Sequence, residues 1–213
     1  MKTIILNGSP RKNWNTAQLL KSVQKGAESV GAETEYIDLY DLNYTGCRSC
    51  LACKRKGADP CKCYWKDDLS PLLDRIFAAD ALFVGTPIYL GDTTSQFHAL
   101  IERLDFVTLS YNDYSCLFKG KVNVGIVLTM NAPEDYYKQY IAPMLKGQFD
   151  MYGRLGGRLE VLPCFDTLQV KDYSKYDMAA WDENHKREHH DAQFPVDLDK
   201  AFQLGAELSK QGQ

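Results

Sequence analysis

Apolar residues fall along the chain in two alternating rhythms. Short continuous runs read as buried strands, and positions recurring every three or four residues read as helices facing a core. Thr3-Ile4-Ile5-Leu6 is the first run and stops at Asn7-Gly8; Leu19, Leu20, Val23, Ala27 and Val30 follow at helical spacing. Thr34 to Leu39 predicts a second strand, and Asp67 to Ala79 a helix with Leu69, Leu72, Leu73 and Ile76 on one face. Ala81 to Gly85 is the short, unbroken run of a central parallel strand, and Val122 to Leu128 is another buried strand. Between them Phe97, Leu100, Ile101 and Leu104 mark a helix capped near Thr94 or Ser95. A long helix is predicted from about Glu134 with a kink at Pro143, then a strand over Leu159–Leu162. A final helix covers Val196–Leu208, with Pro195 at its start. Strands interleaved with helices predict an α/β fold: a doubly wound five-stranded parallel sheet with helices on both faces.

Composition narrows the class. At 213 residues, 45% hydrophobic and 25% charged, the chain is expected to form a single domain over 1–213 with a substantial core. A net charge of −3 offers no basic stripe for nucleic acid or an anionic membrane. No apolar run approaches the roughly 18 residues that cross a bilayer. Lys2 is followed by neither a long apolar stretch nor a small-residue cleavage site, so the expected location is cytoplasmic. There the seven cysteines are expected as reduced thiols or metal ligands rather than disulfides.

In doubly wound sheets ligands bind at the carboxyl ends of the strands, where the strand order reverses. Three such ends carry suitable residues. After the first strand, Gly8 to Thr16 brings Ser9, Asn15 and Thr16 to a helix start, where unpaired N–H groups and the helix dipole favour a phosphate. The loop has neither a closing Gly-Lys-Ser/Thr nor G-x-G-x-x-G, so it suits a cofactor monophosphate held by hydroxyls and amides. Asn15 or Thr16 serving only as a helix cap is the other reading. After the third strand, Thr86-Pro87-Ile88-Tyr89-Leu90-Gly91-Asp92 makes a rigid turn that offers an apolar shelf and amides to a heteroaromatic ring. Tyr89 alone would read as a partly buried core tyrosine. Thr129-Met130-Asn131 follows the fourth strand.

GSPRKNWNTAQLL followed by GTPIYLGDTTSQFHALIERL resembles the flavodoxin-fold family of NAD(P)H-dependent FMN reductases, and its iron–sulfur flavoprotein branch in particular. The resemblance runs through most of the chain and implies a flavodoxin-like fold with bound FMN. It places the phosphate on Ser9, Arg11, Asn15, Thr16 and the amide of Ala17. It places the isoalloxazine ring on Pro87, Ile88, Tyr89, Leu90 and Gly91, with Thr129 nearby. Family members often carry glycine where this chain has Trp14, which implies a different local turn or an indole covering the flavin or a subunit contact. The resemblance also implies a homodimer or homotetramer.

Cys47, Cys50 and Cys53 form C-x-x-C-x-x-C, with Cys61 after seven intervening residues and Cys63 close behind, in a cysteine-rich loop over about 46–65. Such tight spacing can bring successive thiolates to adjacent irons of a cubane. Structural zinc more often uses two separated C-x-x-C pairs. The segment also resembles the compact cysteine motif of the iron–sulfur flavoproteins. That implies a [4Fe–4S] cluster on Cys47, Cys50, Cys53 and Cys61, with Cys63 competing for the fourth place. Bare thiols, a disulfide and zinc stay open as other readings.

His185-Lys186-Arg187-Glu188-His189 matches the H-x-x-E-H signature of some zinc peptidases, but it lies in a polar stretch and is expected to be a solvated, charged helix. His98 is expected to serve packing or an interface. The stretch over about 166–194 has little apolar periodicity yet carries Tyr173, Tyr176, Met178 and Trp181. Its readings are a flap over the flavin, an arm on a second subunit, or a plain surface excursion. With the resemblance, these features imply an FMN-dependent oxidoreductase that takes hydride from NADPH or NADH. Its acceptor would be a quinone, free flavin, metal or nitro compound. A ferredoxin-type protein is the partner that a cluster would serve. The alternative is a non-enzymatic electron carrier of flavodoxin or iron–sulfur flavoprotein type.

Overall fold

The structure, a computed structural model, describes residues 1–210. Among them five parallel strands form one sheet: β1 (Lys2–Asn7), β2 (Glu33–Asp38), β3 (Ala81–Pro87), β4 (Val122–Thr129) and β5 (Gly156–Cys164). Their order, β2-β1-β3-β4-β5, is the flavodoxin-like one, in which the winding reverses between β1 and β3. Asn7 stands opposite Gly85 and Pro87 opposite Thr129. The loops after β1, β3 and β4 therefore leave one edge of the sheet side by side.

β1, β3 and β4 are buried nearly throughout because helices cover both faces. On one side α1 (Asn15–Ser29) and α6 (Glu183–Leu208) pack over Ile5, Phe83 and Val127. On the other, α2 (Leu69–Phe77), α3 (Ser95–Thr108) and, after a short α4 (Glu134–Tyr136), α5 (Ala142–Asp150) pack over Ile4, Leu6, Val84 and Ile126. α1 and α6 meet at glycines. A Cβ on Gly26 would lie 1.9 Å from the Phe202 carbonyl oxygen, and one on Gly205 2.0 Å from that of Val23.

Two elements differ from the sequence reading, and a third takes the expected course in a particular form. The helix predicted from Glu134 continues to Asp150, and its kink near Pro143 is a π-turn over Tyr137–Ile141 between α4 and α5. Pro143 has no N–H to return to the preceding turn, and the wider turn takes up the break. β5 begins before Leu159, at Gly156, whose φ of +72° suits glycine. The last helix does not start at Pro195, which lies inside it; α6 starts at Glu183, where the Asp182 carboxylate accepts from the amides of Asn184 and His185. Within 183–193 only Lys186 is buried, so the first turns leave almost no apolar rhythm to read. The predicted excursion is thus partly helix. Among the described residues no helix is long and apolar enough to cross a membrane.

Candidate functional site

A cavity of about 400 Å³ opens where β1, β3 and β4 end, a size within the range of small-molecule sites. Ser9, Arg11, Trp14, Asn15 and Thr16 line it from the loop after β1, and Pro87, Ile88, Tyr89 and Leu90 from the loop after β3. Thr129, Met130 and Asn131 form a third wall. A fourth comes from the segment after β5: Thr167, Leu168, Gln169, Met178 and Trp181.

The loop after β1 follows a fixed path. Asn7 is fully buried, donates from Nδ2 to Asp38 Oδ1 at 2.8 Å, and accepts the Ser9 amide at 3.1 Å. Ser9 Oγ accepts from the Arg11 amide at 3.1 Å, which leaves the hydroxyl proton to donate elsewhere. Trp14 is the N-cap of α1, and no side chain caps that helix among the described residues. Neither Asn15 nor Thr16 serves as the cap, and the first-turn amides keep their N–H groups for a ligand. Thr16 Oγ1 lies 2.8 Å from Thr129 Oγ1, joining the helix start to the end of β4.

The loop after β3 is a mirror-image turn. Leu90 and Gly91 take φ of +52° and +88°, and Tyr89 and Asp92 exchange backbone hydrogen bonds of 2.7 and 3.0 Å. Gly91 shapes this turn without lining the cavity. Ala17 also stays off the wall; its side chain is buried, so only its amide is on offer. His98 Nε2 stands 3.0 Å from Asp92 Oδ1 and steadies the turn.

The fourth wall is tied down from both sides. Trp14 Nε1 and Asn15 Nδ2 both donate to the Leu168 carbonyl, at 3.0 and 2.9 Å, and Arg11 Nη1 donates to that of Gln169 at 2.6 Å. Trp14 thus anchors the segment after β5. Lys186, expected to be solvated, is buried instead: its ammonium pairs with Asp166, donates to the Asn131 carbonyl at 2.6 Å, and lies 5.3 Å from the Trp181 ring centre. A second depression of about 570 Å³ adjoins the first across Arg11, Trp14 and Gln169, and carries Lys12, Lys171 and Lys175.

The cysteine segment lies elsewhere, over the C-terminal half of α3. Lys54 donates to the Phe106 and Leu109 carbonyls at the end of that helix, where the dipole favours a cation. The Cys47 amide donates to Glu102 Oε2 at 3.1 Å. Cys47, Cys50, Cys53 and Cys63 line one small cavity with Trp65, Arg103 and Phe106. Burial raises the Cys53 thiol, with Cys63, Cys47 and Cys50 adding to it. Cys61 is outside that cavity, and burial pushes its thiol up to about 11, with Cys116 adding to it. Burial alone would lift Asp67, but the Arg103 guanidinium outweighs it and holds the carboxyl below its usual range. Arg103 to Phe106 lie about 14–18 Å along α3 from Thr94, at its cavity end. Among the described residues no three His, Cys, Asp or Glu side chains converge as they would on a single metal ion, the paired His185 and His189 included.

The sequence pattern of the NADPH-dependent FMN reductase family matches residues 1–132, from β1 through the loop after β4. The chain belongs to that family. An iron–sulfur flavoprotein of Methanocaldococcus jannaschii is 35% identical over 103 residues, 48% of this chain and 51% of that protein. One of Archaeoglobus fulgidus is 34% identical over 131 residues, 60% of this chain and 54% of its own. The chain spans about half the length of the curated relatives it matches. Among solved structures, an NAD(P)H:quinone oxidoreductase from Methanothermobacter marburgensis superposes with a TM-score of 0.70 at 18% identity, covering 100% of this chain and 99% of that one. An azoreductase from Bacillus anthracis gives 0.66 at 13% identity, covering 97% and 99%. At such identities the likeness is one of fold.

Within this FMN reductase-family chain, the matched region holds three walls of the cavity and the whole cysteine segment. The fourth wall and Lys186 lie beyond it. Asn7, Arg103 and Lys186 are the residues that sequence reasoning missed. Asn7 had a local signal, as an amide at a strand end before Gly8. Arg103 and Lys186 had none, because a long cation in a helix ordinarily faces water.

Proposed function

We propose that the chain binds FMN in the cavity at the ends of β1, β3 and β4 and uses NADPH or NADH to reduce a small-molecule acceptor. The observation that carries this reading is the meeting, in one cavity, of an uncapped helix start with an apolar shelf. The donor set fits a flavin monophosphate. Ser9, Arg11, Asn15, Thr16 and the Ala17 amide would hold the phosphate, Arg11 and Asn15 using the donors not spent on the 168–169 carbonyls. Pro87, Ile88, Tyr89 and Leu90 would flank the ring beside Thr129, with Gly91 setting the turn. Bound there, FMN supplies hydride acceptance and onward electron transfer. Met178 and Trp181 would exclude water from the far side, as a flap. Arg11, Lys12, Lys171 and Lys175 around the adjoining depression suit the phosphate-bearing end of the dinucleotide.

The four thiols that share a cavity support an iron–sulfur cluster on the cysteine segment, with a ferredoxin-type protein as a one-electron partner. Exposed Tyr136, Tyr140 and Met144 recur at every fourth residue and support a homodimer or homotetramer. The acceptor would be a quinone, flavin, metal or nitro compound. An anaerobic absorption spectrum tests the reading. Flavin bands that bleach with NADPH or NADH, and return on adding an acceptor, are expected. Bands that neither nucleotide bleaches would point to an electron carrier, and a colourless protein that takes up no FMN would overturn the proposal.

A further inference from the structure

We infer that Cys63, rather than Cys61, completes the thiolate set with Cys47, Cys50 and Cys53, and that Arg103 is the residue that positions it. This rests on the iron–sulfur reading above and concerns which residues of this chain bear the cluster. Spacing along the chain favours Cys61, the nearer of the two. The folded chain separates them. Cys61 has a left-handed backbone, φ +59°, and lies outside the cavity that Cys47, Cys50, Cys53 and Cys63 line.

Arg103 explains why Cys63 is held where it is. Its guanidinium is 3% exposed and fixed from several directions: Nη1 donates to Asp67 Oδ2 at 2.7 Å and to the Thr45 carbonyl at 3.1 Å, and Nη2 to Ser70 Oγ at 2.8 Å. From that mounting Nη2 also donates to Cys63 Sγ at 3.1 Å. Hydrogen bonds to ligand sulfurs are among the levers that set a cluster's potential. Arg103 Nε is buried without a partner among the described residues, a cost that an anionic neighbour would offset. Ser49 and Leu51, between the first three cysteines, take φ of +51° and +56°. Alternating backbone of that kind turns N–H groups inward and is recurrent around anionic clusters.

The test uses the full chain, reconstituted without oxygen with ferrous iron, sulfide and a thiol reductant. Iron, acid-labile sulfide and the electron paramagnetic resonance signal of the dithionite-reduced protein are read, with FMN content as the check on folding. Cys61→Ser is expected to load iron as the wild type does, and Cys63→Ser to lose at least half the iron and the wild-type signal. Loss of iron in Cys61→Ser, or full loading in Cys63→Ser, overturns the assignment. A wild type that holds FMN but no iron overturns the iron–sulfur reading itself, and the assignment with it. Arg103→Lys keeps the charge but not the fork. It should load iron with a lowered midpoint potential, and an unchanged potential overturns the role given to Arg103. If that variant does not fold, Arg103→Gln with Asp67→Asn leaves no lone buried charge and reads the same potential.

Discussion

Lys186 Nζ lies against the Asp166 carboxylate, with 4% and 13% of the two side chains exposed. The same ammonium donates to the Asn131 carbonyl at 2.6 Å. One buried pair therefore fastens the start of α6 to the turn after β5 and to the loop after β4, and closes the fourth side of the cavity. Removing one partner strands the other. Lys186→Met is expected to cost about 3–5 kcal/mol, and adding Asp166→Asn to recover much of it. The readout is the urea midpoint at unchanged slope. A wild-type midpoint in Lys186→Met would show that the pair does not hold the segment.

Ser9 and Thr16 present buried hydroxyls to the cavity, and only one of their visible bonds, Thr16 to Thr129, joins two elements. Ser9→Ala with Thr16→Ala should therefore leave the fold nearly intact, at a cost of about 1 kcal/mol. The FMN dissociation constant should rise at least about tenfold, which corresponds to about 1.4 kcal/mol. Flavin fluorescence titration measures it. Unchanged retention would remove this loop from the phosphate site.

Gly26→Ala sets two effects against each other. Alanine in a helix interior gains about 1 kcal/mol over glycine. Here the new methyl would meet the Phe202 backbone oxygen at 1.9 Å, and α1 and α6 must part to admit it. Overpacking of this sort costs about 1–3 kcal/mol or more. A net loss of stability is expected on thermal unfolding, and a rise in midpoint would show that the helices separate cheaply.

Tyr140→Glu puts a charge into the exposed stripe of Tyr136, Tyr140 and Met144, where the rings of Tyr136 and Tyr140 meet tilted at 47° with 4.9 Å between centres. If that stripe is the contact between copies, sedimentation should shift from an oligomer to the mass of one chain, with FMN still bound. Wild type and variant of the same mass would place the contact elsewhere.

The sequence alone determined the sheet and the cavity's first three walls. A central strand covered on both faces is apolar at most positions, so Ala81 to Gly85 and, despite Asn123, Val122 to Leu128 declared themselves, and β1 with them. The loops that follow such strands are forced to one edge, so Ser9, Tyr89 and Thr129 could be grouped before any contact was known. Tertiary structure alone decided what distant residues do to one another. Arg103 meets Cys63 across 40 residues of chain, and Lys186 meets Asp166 across 20. Neither cation carries a local mark of burial, since the partner that makes burial tolerable lies in another element. Cys61 and Cys63 are two residues apart and alike in sequence, yet only Cys63 lines the cavity of the first three cysteines. Periodicity records which face of an element is dry. It does not record which charge waits on the other side.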